Sequence, residues 1–109
     1  MAETNKCLAQ LKSAANTLEK LYTVPAVTQT VLSSIVVCNQ SATATSFSVQ
    51  IRIAGAGSDT KQYLYFTVAI PGNDTFIATI GATLATTDEV WVLATLATLS
   101  WNLFGVEIT

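Results

Sequence analysis

Few side chains in this sequence are equipped for chemistry, and histidine, the usual general base and the commonest metal ligand, is absent. That excludes a Ser-His-Asp or Cys-His nucleophilic site within one chain. Cys7 and Cys38 lie far apart, with no histidine to complete a zinc spacing. Carboxylate pairs remain, since glycoside cleavage needs only two of them at a set separation. The candidates are Asp59, Asp74, Asp88 and Glu89. Asp59 and Asp74 sit in turn-like contexts, where aspartate commonly bonds its own backbone. Asp88 and Glu89 are neighbours and would point to opposite faces of a strand. Gly55-Ala56-Gly57-Ser58-Asp59 looks like a phosphate loop but lacks the third glycine of a dinucleotide fingerprint, the P-loop lysine and a following helix. It reads as a hairpin loop. Tyr63, Tyr65 and Phe66 could stack a sugar or a base, yet aromatic residues also form and pack strands. The expectation is a chain that is not an enzyme, with no catalytic residue, no cofactor and no metal.

What surrounds these residues is apolar and nearly uncharged. Half of the 109 residues are hydrophobic and 11% are charged, against about 25% charged in ordinary soluble domains. Disorder, which needs low hydrophobicity and high charge, is excluded. The net charge is −2, and three of the five bases, Lys6, Lys12 and Lys20, fall in the first twenty residues. The rest holds only Arg52 and Lys61, no footprint for phosphates, so nucleic acid is not an expected partner. No apolar run reaches the ~18–20 residues of a membrane span, and no basic start followed by an apolar run marks a secretory signal. Neither a membrane role nor a disulfide is expected, and Cys38 reads as a small buried hydrophobe.

One domain must supply the fold. Leu8, Leu11, Ala15 and Leu18 recur at i, i+3, i+7 and i+10, a thin helical stripe weakened by Ser13, Asn16 and Thr17. Residues 1–20 are therefore expected as a short helix or an extended arm, and residues 21–109 as the folded domain. Val24-Pro25 ends the first segment. Strands then follow over Thr30–Asn39, Thr45–Ile53, Lys61–Ile70, Thr75–Ile80, Glu89–Thr95 and Thr98–Glu107. In the second of these Phe47, Val49, Ile51 and Ile53 alternate with Ser46, Ser48, Gln50 and Arg52. Pro71-Gly72-Asn73-Asp74 is a tight turn. Spacing near ten residues predicts an all-β protein, an antiparallel sandwich of six to eight strands, jelly-roll-like or Ig-like. Several strands are apolar on both faces: Trp91 and Leu93 oppose Val90 and Val92, and Phe104 opposes Leu99, Trp101 and Leu103. A monomer rarely leaves such a surplus bare, which predicts a homo-oligomer or a subunit of a larger assembly.

Three stretches resemble a family of small virion proteins of tailed bacteriophages. They are Leu21-Tyr22-Thr23-Val24-Pro25-Ala26 running into Leu32–Asn39, then Ala69-Ile70-Pro71-Gly72-Asn73-Asp74-Thr75, and then the C-terminus from Ala97 to Thr109. The resemblance implies a structural subunit located in the virion and assembled in the host cytoplasm. Its leading form is a capsid cement (decoration) protein, in symmetric clusters such as trimers over the major capsid protein. The same resemblance implies, as alternatives, a tail, neck, baseplate or fibre-associated protein. Expected partners are further copies of the chain and other virion proteins. The residues expected at interfaces are Leu8, Leu11 and Leu18 on the arm, with Trp91 and Trp101 as anchors. Removing residues 1–20 is expected to leave a folded sandwich that binds particles poorly. A separate reading is a host-glycan-binding module using Tyr63, Tyr65 and the Gly55–Asp59 loop.

Overall fold

A computed structural model describes residues 2–109. It contains nine strands: β1 (Glu3–Lys12), β2 (Glu19–Thr23), β3 (Gln29–Asn39), β4 (Thr45–Arg52), β5 (Tyr63–Ile70), β6 (Thr75–Thr79), β7 (Thr83–Leu84), β8 (Glu89–Ala94) and β9 (Leu99–Ile108). One sheet runs β1-β9-β3-β6, with the short β7 paired to the start of β3, and the other runs β2-β8-β4-β5. All neighbouring strands are antiparallel. The chain changes sheet at nearly every connection, and only β4–β5 and β6–β7 stay within one. That wiring is a jelly roll, two sheets interleaved along the chain with β7 added to one, and not an immunoglobulin arrangement. All six strands expected from the patterning are present. Alternation by itself is common to both sandwich types, so only long-range pairing separates them.

The core forms because inward positions repeat every second residue on facing strands. Leu32, Ile35 and Val37 of β3 meet Leu99, Trp101 and Leu103 of β9 on one inner face, and Phe47, Val49, Val90, Val92 and Ala94 supply the other. Aromatic rings run through the middle. Trp101 meets Phe47 edge-on at 5.5 Å, Phe47 packs on Phe76 at 5.1 Å, and Tyr65 meets Phe76 at 5.5 Å.

The N-terminal segment is not a helix; it is extended, and it forms a strand of the sandwich itself. Glu3–Lys12 pairs with β9 along its whole length. The helical spacing of its leucines has a different cause. The register shifts between Cys7 and Ala9, which leaves Leu8 as the extra residue of a β-bulge. Ala9 and Leu11 then face Leu103 and Trp101 across the ladder, and Leu8 packs against the core beside them. A bulge followed by alternation thus places residues 8 and 11 on one face, as a helix would. The following crossover is pinned: Asn16 donates its amide to Ala94 O at 2.8 Å, and buried Ser13 accepts from Trp101 Nε1 at 3.0 Å.

At one end of the sandwich Asn39 ties three connections together. Its Nδ2 donates to Thr43 O (2.9 Å) and Pro71 O (3.1 Å), while Oδ1 accepts from Ser41 N (3.1 Å) and Thr98 Oγ1 (3.0 Å). The side chain uses its full bonding capacity while buried. The neighbouring turn admits only glycine at position 72, because a Cβ there would lie 2.1 Å from Ala42 O.

Candidate functional site

The two sheets present unlike outer faces. On β3, β6 and β9 the only charged residue is Glu107, which turns inward to bond Tyr22. Outward positions line up across the first sheet in register. Gln10, Asn102, Val36 and Ile77 form one row, and Cys7, Phe104, Ser34 and Thr79 form the next. Ile77 is 67% exposed and Phe104 37%, and Gln10 Nε2 donates to Asn102 Oδ1 at 2.7 Å. This is a broad face of amides, hydroxyls and aliphatic groups with no charge across three strands.

The second sheet carries charges outward, together with Trp91 and Tyr63. Lys20, Trp91, Gln50 and Tyr63 form one row across β2, β8, β4 and β5, and Glu89 lies opposite Arg52. The Arg52 guanidinium sits 3.9 Å from the centroid of the Trp91 ring, and its Nε donates to Gln50 Oε1 at 3.0 Å. Trp91 Nε1 donates to Glu89 Oε1 at 2.8 Å, and Lys20 Nζ lies 3.7 Å from Glu89 Oε2. Three outward polar side chains of β4 are buried. Ser48, Gln50 and Arg52 are all covered. The connection from Ile53 to Gln62 folds back toward Gln50, where Ser58 Oγ accepts from Gln50 Nε2 at 2.9 Å and Ala54 donates its amide to Asp88 Oδ1 at 2.9 Å, while Ser48 Oγ accepts the Thr67 amide at 2.9 Å. Ala54 and Gly55 take positive φ (53° and 71°), which turns the loop toward the sheet. Tyr63 and Phe66 meet edge-on at 4.8 Å beside it.

Between the sheets lies a charged latch. Tyr22 of β2 bonds Thr30 Oγ1 at 2.9 Å and donates to Glu107 Oε2 at 2.5 Å, and Lys6 Nζ lies 2.7 Å from Glu107 Oε1. Burial, reinforced by the bond to Glu107, pushes the Tyr22 hydroxyl from 10.0 up to about 12. The Lys6 ammonium first, and the Tyr22 hydroxyl second, hold the Glu107 carboxyl below its ordinary range.

The residues singled out by sequence do not converge. Leu8 and Leu11 pack against the core, and Leu18 is half-buried just before β2. Trp101 is fully buried, so it serves the core and cannot anchor a partner, whereas Trp91 is half-buried on the outer face. Tyr65 turns inward and Tyr63 outward, because a bulge separates their pairing positions on β4. Asp59 caps a 3₁₀ turn, Asp74 accepts the Thr75 amide, and Asp88 accepts the amides of Ala54 and Ala85. Among the described residues no group of three His, Cys, Asp or Glu side chains could hold a metal. Sequence reasoning did not single out Gln50 and Arg52 as a buried, bonded pair. The one signal was a polar run, Ser48, Gln50 and Arg52, on a strand directly before a glycine-rich loop.

Among solved structures, this fold is shared by a chain in the structure of infectious bursal disease virus, Gt strain. The TM-score is 0.58 at 10% sequence identity, and the match spans 97% of this chain and 30% of that one. The likeness is one of fold. No protein-family model and no curated protein matches the sequence.

Proposed function

We propose that this chain is a structural subunit of a virus particle, and specifically a cement protein on the capsid of a tailed phage. The outer face of β9, β3 and β6, which carries no outward charge, supports the reading. A free subunit gains solubility from surface charge, whereas a face held against a neighbour is depleted of it. Exposed Phe104 on the inner strand β9 and Ile77 on the edge strand β6 suit a lasting contact with another virion subunit. The shared jelly-roll fold with a virus chain supports the same reading. The engaged carboxylates support a role without catalysis, since Asp59, Asp74 and Asp88 hold backbone amides and Glu89 holds Trp91.

Two measurements test this. Quantitative mass spectrometry of purified particles should find copies comparable with the major capsid protein. Copies fitting only a ring or a fibre would move the chain to the neck, tail or baseplate, because closed symmetry sets those numbers. Ile77→Lys should release the chain from particles while leaving its unfolding midpoint nearly unchanged, since surface substitutions shift stability by only about 0.5 kcal/mol. Absence from particles, or full retention of the lysine variant, would defeat the proposal.

A further inference from the structure

A strand at the edge of a sheet leaves a row of backbone N–H and C=O groups open to another chain unless something blunts it. β1 and β6 bound one sheet, with the short β7 on the same flank as β6, and β2 and β5 bound the other. Three of these edges are blunted. β1 has its bulge at Leu8 and carries Glu3, Lys6 and Lys12, and β2 has a register shift at Leu21 and carries Glu19 and Lys20. β5 shifts register against β4, and Thr67 within it takes a positive φ of 50°. β6 has none of these devices. Its residues, Thr75-Phe76-Ile77-Ala78-Thr79, hold no charge, proline or glycine and pair with β3 in one unbroken register.

The ends of that ladder fix which backbone groups stay open. Asn39 N donates to Asp74 O and Ile80 N to Ser33 O, each at 2.9 Å. Bonded and non-bonded pairs alternate in an antiparallel ladder. Phe76 and Ala78 therefore turn their backbone groups to β3, while Thr75, Ile77 and Thr79 turn theirs to the open side. The Thr75 amide is held by Asp74 Oδ1 at 2.8 Å. That leaves the Thr75 carbonyl and both groups of Ile77 and Thr79.

These groups fit one pairing of β6 with itself, about a two-fold axis through Ile77. The two Ile77 residues exchange a pair of hydrogen bonds, and the Thr79 amide of each copy meets the Thr75 carbonyl of the other. A slip of one residue leaves them all without partners. The side chains agree with the same register. Ile77, 67% exposed on the outer face, is covered by its own counterpart across the axis, and Thr75 stands opposite Thr79. Asp74, the only charge between Lys61 and Asp88, falls opposite Ile80, so the two carboxylates lie at opposite ends, roughly 20 Å apart. Apolar surface continues along this flank. β5 lies against β6 through Tyr65 and Phe76 (5.5 Å), and its Phe66 and Leu64 are 67% and 43% exposed. We propose that β6 is a homodimerisation edge, on which a second copy of this chain pairs antiparallel about Ile77 and joins two β1-β9-β3-β6 sheets into one. This goes beyond the virion reading, and its test needs no particle, so either can fail without the other.

Sedimentation equilibrium of the full chain from about 10 μM to about 1 mM should show the 11.5 kDa chain passing reversibly into a species of twice that mass. Ile77→Lys and Ile77→Glu, each alone, set like charges across the axis and should weaken the dimer at least about tenfold. Their equal mixture sets opposite charges there and should recover it. Thr79→Pro keeps the Ile77 side chain and breaks no bond to β3, yet removes an amide from each end of the seam, and should also weaken the dimer about tenfold. Urea midpoints establish which variants are folded, and the Ile77 pair decides the matter if the proline variant is not. A wild-type chain that stays monomeric throughout overturns the proposal. So does a mixture no tighter than either charged variant alone, or a folded Thr79→Pro that dimerises with wild-type affinity, which would move the contact from the edge to the outer face.

Discussion

Replacing Tyr22 by Phe removes one oxygen and cuts the latch that joins the two sheets. The hydroxyl bonds an ionised carboxylate, Glu107, at 2.5 Å and a buried hydroxyl, Thr30, at 2.9 Å. A hydrogen bond to a charged group contributes about 1.5–3 kcal/mol, and a stranded buried hydroxyl adds about 1 kcal/mol. The expected loss is thus about 2–4 kcal/mol, a large share of the ~5–15 kcal/mol that holds a domain together. At this chain length that is a fall in Tm of roughly 8–16 °C. Urea denaturation should show a lower midpoint with an unchanged slope. The acid limb, through Glu107, separates a cut latch from the mere loss of a buried hydroxyl. Tyr22 has its hydroxyl raised from 10.0 to about 12, so the folded state holds that proton more tightly than the unfolded chain does. The stability linked to that proton is complete below pH 10.0 and is lost as pH rises toward about 12. Glu107 is held low, so its contribution is present above the ordinary carboxylate range and fades as pH falls through its lowered value. Tyr22→Phe should therefore abolish the extra alkaline loss and weaken the acid limb, with Lys6 still paired. A variant within about 0.5 kcal/mol of wild type, with the same alkaline limb, would refute the latch.

Two further outcomes follow from the fold. Asn39→Ala leaves Thr43 O, Pro71 O, Ser41 N and Thr98 Oγ1 without their shared partner and should cost about 3 kcal/mol or more. Asn39→Asp loses both donated bonds and should not rescue it, as urea midpoints will show. Deleting residues 2–12 removes β1, bares one edge of β9, uncovers the core beneath Leu8 and Leu11, and takes Lys6 from the latch. The truncated chain should lose its cooperative thermal transition by circular dichroism. A sharp wild-type transition would restore the detachable arm.

Much of this protein is settled locally. Missing histidine, sparse charge and β-branched alternation are properties of composition and short range. Thr45–Arg52 therefore reads as a strand from its own residues, and Pro71–Asp74 as a turn. The candidate site was far less legible. The period puts Gln50 and Arg52 only on the face opposite Phe47 and Val49, because nothing in a strand's own pattern shows that a loop will fold back over its outer face. Trp91 and Trp101 look alike in sequence, both within apolar runs, and only the pleat register sends one outward and the other into the core.

The amino-acid sequence by itself determined an antiparallel β-sandwich with six of its strands, a chain poor in charge, and an absence of histidine chemistry. Those properties depend on the side-chain period of two and on residue type. The tertiary structure alone decided that Glu3–Lys12 is a strand, since the bulge at Leu8 is defined only against β9. It alone decided the jelly-roll wiring, the Tyr22–Glu107 latch between residues far apart in the chain, and the stacking of Arg52 over Trp91. Each of these depends on which distant segments meet, and pairing between sheets is set by the competition of the whole chain for one core.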